Sequence, residues 1–390
     1  MKRNRQKRRG GIGRDTEHLI WLATGLAESG SLAEDRWWDR QLVETVDGLL
    51  AEHDEEALNV ALDHLYAKNA RGYEELADFI ESRAETGGRI DDKHDVLLIA
   101  APILAWSRFR IPANAIPPAV LANLRVHLSA HILASDAKLA LADYLFSPDQ
   151  LPRGYCATAE FAAALGRAAL AGSDLKIETE GMPDTAHFLS DTRYLLAAIA
   201  VPRDEPFFAW QQPGDSRDDA LDRWRSQGGA CLAPLLPGCA TEVVLPEAYF
   251  AASREADRES RPYAIRASVA FLGAELETPA ANLRAVIAPF HDRELEEYRI
   301  GFSRRDDDTV VVHGVVWPLL GAEDENVDIP AQIEAVLRDC GVADIVYLDH
   351  RFPLEYCDDC GAPMYPSGDG ETVHAEMPDE HGEQTPRHLH

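Results

Sequence analysis

Two cysteines near the C-terminus carry the clearest chemical signal in the sequence. Cys357 and Cys360 are separated by two residues, and Gly361 follows the second cysteine directly. Two thiolates at this spacing can bind one tetrahedral Zn²⁺ ion when the backbone turns tightly between them, and the glycine lets backbone amides approach the sulfurs. The pattern predicts a zinc-knuckle-like hairpin over residues 357–378, in which zinc has a structural role.

The cysteine pair supplies only two of the ligands that a zinc ion needs. Structural zinc takes four ligands, and no second pair of cysteines with this spacing occurs in the chain. The predicted metal ligands are Cys357, Cys360 and His374. The candidates for the remaining position are Cys340, His350 and Glu376.

Two other interpretations of the cysteine pair stay open. The thiols could be metal-free and redox-active, which requires a lowered thiol pKa, and Asp358 and Asp359 between the sulfurs oppose that. Alternatively, three protein ligands and a water could form a catalytic metal centre. The surrounding sequence offers only Glu371 and Glu376 as general bases, so we favour structural zinc.

The start of the chain is a candidate site of a different kind. Six of its first nine residues are basic, although the whole chain has a net charge of −29. These residues are Lys2, Arg3, Arg5, Lys7, Arg8 and Arg9. We expect a disordered arm over residues 1–14 that neutralises phosphates of RNA or of a ribosome. The alternatives are a solvated tail and association with the acidic body of the chain.

The composition limits the class of protein. The chain has 390 residues, 46% of them hydrophobic and 27% charged, which is the balance of a folded protein with two or three domains. Its longest largely apolar stretch, residues 96–106, is shorter than the roughly 20 residues that cross a bilayer. Six scattered cysteines disfavour a secreted disulfide scaffold, and acidic residues soon after the basic start disfavour a signal peptide. We therefore expect a cytoplasmic protein.

Hydrophobic periodicity indicates helices in the first part of the chain. Trp38, Leu42 and Val46 recur at helical spacing, and similar stripes follow up to residue 80. Short polar breaks between these stripes predict antiparallel helical hairpins. We predict a helical N-terminal domain over residues 15–88.

Beyond residue 88 the pattern changes to short apolar runs, typical of buried strands, that alternate with helical stretches. Three blocks, at 96–148, 195–250 and 310–353, share the order of apolar run, helix and apolar run. This order predicts a repeated strand-helix-strand body, α/β in character and α+β overall. The predicted α/β domains are 89–250 and 251–356, and a disordered tail is predicted over 379–390. Regular strand spacing without a true repeat is the alternative.

Several phrases of the sequence resemble one bacterial protein family. They include LAWSRFRIP, LALADYLFSPDQLPR, DTRYLLAAIAVPR, VVHGVVWPLLGAEDE and LDHRFPLEYCDDCGAPMYP. These phrases are similar to the family known as domain of unknown function 2863, over a stretch from about Arg14 to Pro378. The resemblance implies a cytoplasmic bacterial protein and supplies no catalytic residues, because the family has no assigned activity.

Common catalytic motifs are absent, including the P-loop, the GxSxG elbow and HExxH. Our first hypothesis is a non-enzymatic accessory or adaptor protein that contacts RNA through the basic arm. The alternatives are an enzyme with a site at strand ends, using His313, His350 or Asp349, and a thiol or metal sensor.

Overall fold

The structure is a computed structural model that describes residues 13–88, 90–186, 188–321 and 327–376. The predicted basic residues at positions 2–9 and the predicted tail at 379–390 lie outside the described residues. Helices and strands are mixed along the chain, which confirms the prediction of an α+β protein. The predicted domain boundaries stay predictions.

The first part of the chain is helical, as predicted. Its helices are α1 (Arg14–Glu28), α2 (Leu32–Glu52), α3 (Glu55–Tyr66) and α4 (Ala70–Thr86). Ser31, Asp54 and Asn69 each accept a hydrogen bond from a backbone N–H three residues ahead, and these bonds cap α2, α3 and α4. Leu42 and Val46 are fully buried, but Trp38 from the same predicted stripe is only partly buried.

The first sheet follows these helices. Its strands are β1 (His94–Trp106), β2 (Lys138–Phe146), β3 (Ser190–Pro202), β4 (Ala240–Val243) and β5 (Glu247–Ala248). The strand order is β2-β3-β1-β4, with β5 paired to another part of β1, and every pairing is antiparallel.

Helices cover both faces of the first sheet. The helices are α5 (Pro118–His131), α6 (Gly154–Ala171), α7 (Arg217–Arg223) and α8 (Gly229–Leu232). Leu97 and Ile99 of β1 pack in one core with α5 and the α7–α8 region, whereas Leu98 and Ala100 pack in another core with α6. Burial on both faces explains why β1 is a continuous apolar run.

The second sheet lies later in the chain. Its strands are β6 (Leu283–His291), β7 (Leu295–Arg304), β8 (Asp307–Pro318), β9 (Asp344–Tyr347) and β10 (Phe352–Pro353). The first three strands form an antiparallel meander, and β9 and β10 both pair in parallel with β6. Helix α10 (Ile329–Asp339) connects β8 to β9 and packs on one face of this sheet.

One long helix, α9 (Tyr249–Glu275), joins the two sheets. Its Tyr249 and Ala252 belong to the core of the first sheet, whereas its Val269 and Leu272 belong to the core of the second. The two sheets therefore share a structural element. Within the described part of the chain, no helix combines the length and the apolar character needed to cross a membrane.

The three predicted strand-helix-strand units are present as β1-α5-β2, β3-α7/α8-β4 and β8-α10-β9. In the first two units, the outer strands run parallel with one antiparallel strand between them. In the third unit, two strands, β6 and β7, separate the outer pair. The units share an order of elements, but the third differs in its sheet topology.

Candidate metal centre and neighbouring cavity

A tight turn brings the two predicted thiol ligands together. The backbone N–H of Gly361 donates to the carbonyl of Cys357 at 2.8 Å, and the N–H of Cys357 donates to the carbonyl of Ala362 at 2.7 Å. Gly361 has a φ of 75°, a conformation that favours glycine. The local sequence thus accounts for the turn.

A short hairpin returns the chain to this turn. Its strands are β11 (Tyr365–Pro366) and β12 (Thr372–Val373), and His374 follows the second strand directly. Nε2 of His374 lies 3.3 Å from Sγ of Cys360. Tetrahedral zinc with ordinary bond lengths separates a sulfur and a nitrogen ligand by about 3.5 Å, so the observed spacing suits such an ion.

Cys357, Cys360 and His374 form a group that could bind a metal, because their ligand atoms all lie within 4.8 Å of one another. The other predicted candidates lie elsewhere. Among the described residues, neither Cys340, at the end of α10, nor His350, stacked on Phe352, joins this group, and Glu376 is also outside it.

The backbone sets the ionisation of the pair. Hydrogen bonds from the N–H groups of Asp359 and Cys360 lower the pKa of the Cys357 thiol, although the Asp359 carboxylate opposes them. The N–H of Ala362 acts similarly on Cys360, but desolvation and the neighbouring Cys357 outweigh it, so the pKa of Cys360 is raised. The Asp359 carboxylate thus opposes a lowered thiol pKa, as expected, but the backbone N–H groups outweigh it at Cys357. A readily formed thiolate is the state that a metal binds.

The segment that carries these ligands, residues 355–376, is called the C-terminal ribbon below. It lies on the face of the second sheet opposite α9 and α10, where Gly301 of β7 and Gly314 of β8 are direct cross-strand partners. A Cβ atom at Gly314 would lie 2.2 Å from the Tyr365 ring, and one at Gly301 would lie 2.2 Å from the carbonyl oxygen of Pro366. The two glycines leave the space in which the ribbon sits.

Arg299 of β7 fastens the ribbon to the sheet. Its side chain is fully buried, and its Nη1 donates to the carbonyls of Glu355 at 2.6 Å and Met364 at 2.8 Å. Its Nε bonds Glu297 at 2.6 Å, and its guanidinium lies 5.0 Å from the Tyr356 ring centroid. A buried arginine is stable only with such partners, so Arg299 and the ribbon depend on each other. The sequence analysis missed this residue.

A cavity of about 430 Å³ lies between the two sheets, beside the ribbon. Trp106 and Thr192 of the first sheet and His313 of the second line it, together with Tyr356 and Tyr365 of the ribbon. This volume is within the usual range of small-molecule sites. The ribbon therefore forms one side of this cavity, and residues of both sheets form the other sides.

His313, predicted as a catalytic candidate, lines this cavity. It is in the middle of β8 rather than at a strand end, is 1% exposed, and has Nε2 at 2.9 Å from Oγ of Ser268 on α9. Asp349 and His350 lie in the segment between β9 and β10, and the described lining of the cavity does not include them. The structure therefore does not bring the three predicted catalytic candidates together in the cavity.

Comparison with known proteins agrees with the resemblance seen in the sequence. Residues 4–388 match the family described as protein of unknown function (DUF2863). The chain belongs to the DUF2863 family. The match to DUF2863 spans the helical part, both sheets and the C-terminal ribbon. No curated protein and no solved structure matches the chain.

Proposed function

We propose that the protein is a cytoplasmic, zinc-binding accessory protein in which Cys357, Cys360 and His374 hold the ion. The observation that carries the zinc proposal is the convergence of two thiols and one imidazole within 4.8 Å. Sulfur and imidazole ligands in a tetrahedral arrangement are the set that zinc prefers, whereas magnesium and calcium prefer oxygen. A fourth ligand or a water would complete the coordination.

The role that we propose for the ion is structural. The ribbon buries few apolar side chains, and its own small core comprises Val311 of β8 with Tyr365 and Ala375. The β11–β12 pairing extends over only two residues on each strand. A segment this short cannot bury enough surface to fold alone, so a metal cross-link would supply much of its order.

Elemental analysis of the untagged protein tests the zinc site. We expect stoichiometric zinc in the purified protein and its loss in Cys357→Ser and His374→Ala. Cys231→Ser is the matched control, because Cys231 is also a partly exposed free cysteine but lies in α8. Protein that is metal-free and takes up no added zinc would refute the site. A reversible Cys357–Cys360 disulfide in such protein would instead support the thiol-sensor hypothesis.

We also propose that the protein contacts RNA or ribosomes through Lys2, Arg3, Arg5, Lys7, Arg8 and Arg9. The support is the separation of charge: without these six residues, the net charge of the chain falls from −29 to −35. A local cationic segment on an acidic protein directs polyanions to one place, since the body repels them.

Cosedimentation with ribosomes at low salt tests this contact. Full-length protein should pellet with ribosomes, a variant lacking residues 2–9 should not, and added salt should release the full-length protein. Retention of binding in the shortened variant would show that the arm is not the contact.

An enzyme is the second candidate function, favoured by the His313–Ser268 pair in the wall of the cavity. A thermal-shift screen against metabolites tests it, because a ligand that binds the folded state raises the melting temperature. Ser268→Ala should abolish the shift for a ligand that contacts this pair. A screen in which the ligand shift is the same in Ser268→Ala would exclude the pair from the site.

A further inference from the structure

The cavity between the two sheets is lined by more acidic than basic side chains. Among its described lining residues, three carry a carboxylate and one carries a guanidinium, and these are Asp191, Asp257, Glu297 and Arg261. Arg261 is already engaged, because its Nη1 donates to the carbonyl of Pro318 at 3.1 Å and its guanidinium lies 5.0 Å from the Trp317 ring centroid. An anionic ligand would therefore meet repulsion in this cavity with little compensation.

Two of these carboxylates lie beside buried arginines. Oδ2 of Asp191 on β3 accepts from Nη1 of Arg193 at 2.5 Å, and Oε1 of Glu297 on β7 accepts from Nε of Arg299 at 2.6 Å. The side chains of Asp191 and Glu297 are 15% and 14% exposed, whereas both arginines are almost fully buried. The arginines thus fix the two carboxylates in place and leave part of each accessible to a ligand.

Asp257 on α9 has no comparable partner. Within the described part of the chain its carboxylate forms no ion pair and accepts no hydrogen bond, and Arg261 acts on it only at longer range. Partial burial raises the pKa of Asp257, and burial raises the pKa of Asp191 although Arg193 opposes the shift. Burial also raises the pKa of the Tyr194 phenol, and both carboxylates raise it further, so they lie around one ring. A cation beside Tyr194 would be attracted by both carboxylates.

The arrangement suits an organic cation better than a metal ion. Among the described residues, the three carboxylates do not form a group that is close enough to share one metal. Aromatic rings surround them instead, and the face of such a ring attracts the positive charge of an organic cation. The aromatic lining residues are Trp106, Phe188, Tyr194, Tyr263, Tyr356 and Tyr365.

The Tyr365 hydroxyl is a further contact point for a ligand. Tyr365 lines the cavity and is 1% exposed, and its hydroxyl has no hydrogen-bond partner among the described residues. Burial raises the pKa of this phenol, so the hydroxyl stays protonated and can both donate and accept a hydrogen bond. A buried polar group without a partner costs free energy, which a ligand that bonds to it would recover.

We propose that the cavity binds an organic amine whose ammonium group pairs with Asp191 and Asp257 and whose apolar body packs against the aromatic lining. This inference rests on the cavity of the second candidate function, and it names the class of ligand without requiring a reaction. Leu104, Leu189 and Val315 add aliphatic surface for the apolar body. An amine, unlike a carboxylate or a phosphate, carries a charge opposite to that of the lining.

Isothermal titration calorimetry with three indole compounds tests the charge preference. Tryptamine, indole-3-ethanol and indole-3-propionate share an aromatic body and carry an ammonium, a hydroxyl and a carboxylate, respectively. At neutral pH, tryptamine should bind about tenfold more tightly than the alcohol, because it adds a charge-assisted contact, and the acid should bind least.

The outcomes separate the ligand class from the enzyme hypothesis. Equal affinity for tryptamine and the alcohol, or tighter binding of the acid, would overturn the amine assignment and leave the cavity as a ligand site. Binding of none of the three compounds would also overturn it. A metabolite that raises the melting temperature in the thermal-shift screen would support the enzyme in either case.

Substitutions in the lining test the position of the ammonium group. Asp257→Asn should weaken tryptamine binding about tenfold and leave binding of the alcohol unchanged, because it removes only the charge. Asp136→Asn is the matched control, since Asp136 is an exposed aspartate outside the described lining. Unchanged affinity for tryptamine in Asp257→Asn would contradict the proposal.

Two further variants sharpen this test. Asp191→Asn should also weaken tryptamine binding selectively, and its melting temperature shows whether the changed partner of Arg193 has destabilised the fold. Tyr365→Phe should weaken binding of tryptamine and of the alcohol alike, because the contact that it removes does not depend on charge. A loss of the same size for both compounds in Asp191→Asn would refute pairing with the ammonium group.

Discussion

The two sheets of the molecule carry similar strand-helix-strand units but are covered in different ways. The first sheet has helices on both faces, with α5 and the α7–α8 region on one side and α6 and α9 on the other. The second sheet has α9 and α10 on one face only, and the C-terminal ribbon lies on the other. The first sheet is therefore held mainly by apolar burial, whereas one face of the second depends on polar anchors.

A buried arginine in each sheet shows this contrast. Arg193 of β3 is 1% exposed and donates to the carbonyls of Ile111 and Pro112, which lie in a loop of the first sheet. Arg299 of β7 makes the same kind of bond to carbonyls of the ribbon. Both sheets use a buried arginine in this way, but within the described part of the chain only the second sheet also carries a candidate metal centre. A cover with little apolar area needs such directional bonds to stay in place.

The largest expected effect is in the core of the first sheet. Trp224 is fully buried in a π-helical turn, and it packs so closely that a Cβ atom at Gly228 would lie 2.1 Å from its ring. Trp224→Ala should lower the free energy of unfolding by about 3–5 kcal/mol. Urea denaturation measures this, with the partly buried Trp210→Ala as a smaller-effect control. An equal decrease in the free energy of unfolding in both variants would contradict the close packing of Trp224 in this core.

Removal of the proposed zinc ion should act on the second sheet alone. At a zinc concentration about 100 times the dissociation constant, bound metal stabilises the folded state by about 2.7 kcal/mol. Chelation should increase hydrogen exchange in the ribbon and in β7 and β8, while β1 and β3 stay protected. A uniform increase in hydrogen exchange across both sheets would show that the ribbon does not stabilise the second sheet alone.

A smaller effect is expected where the ribbon meets the sheet. Gly314→Ala places a methyl group against Tyr365 and should cost about 2 kcal/mol as the ribbon shifts. Gly48→Ala is the control, because a Cβ atom there meets nothing within 4 Å and α2 should gain helix propensity. Differential scanning calorimetry distinguishes the two. Unchanged stability in Gly314→Ala would mean that Tyr365 of the ribbon does not pack against Gly314.

An effect that depends on pH, and vanishes at low pH, is expected at the end of α9 that packs on the first sheet. Burial raises the pKa of Glu85 on α4 to about 7, although the N–H of Phe250 opposes the shift. Since the unfolded carboxyl titrates near its ordinary value of 4.5, stability should fall as the pH rises from there to about 7. Glu85→Gln should therefore stabilise the protein by up to about 3 kcal/mol near pH 8 and by much less near pH 5. Equal effects at both pH values, in thermal melts, would argue against the raised pKa.

The sequence predicts those parts of the site that depend on local spacing. Cys357, Cys360 and Gly361 lie within one turn, so their arrangement follows from short-range geometry. His374 is 14 residues from Cys360, and the predicted hairpin brings it back. The apolar runs likewise predict the helices and most strands, because burial imposes their periodicity.

Features that depend on distant partners were not predictable in this way. Arg299 and Gly314 contact ribbon residues that lie 50 or more positions later in the chain. The residues next to them in the sequence do not indicate these contacts. Helical spacing placed Trp38 in the core, but its position depends on Gly25 of another helix. The local signal is a glycine inside each of two strand-like runs, Gly301 and Gly314, because a glycine within a strand often marks the close approach of another backbone.

The shared helix α9 has a consequence for synthesis of the chain. Residues up to 248 complete the strands of the first sheet, but Tyr249, Ala252 and Ala256 are still needed to cover one of its faces. A nascent chain that stops before α9 would expose that apolar face to other chains in the cell. The first sheet therefore becomes fully covered only after α9 has been synthesised, and α9 is also the helix that leads into the second sheet.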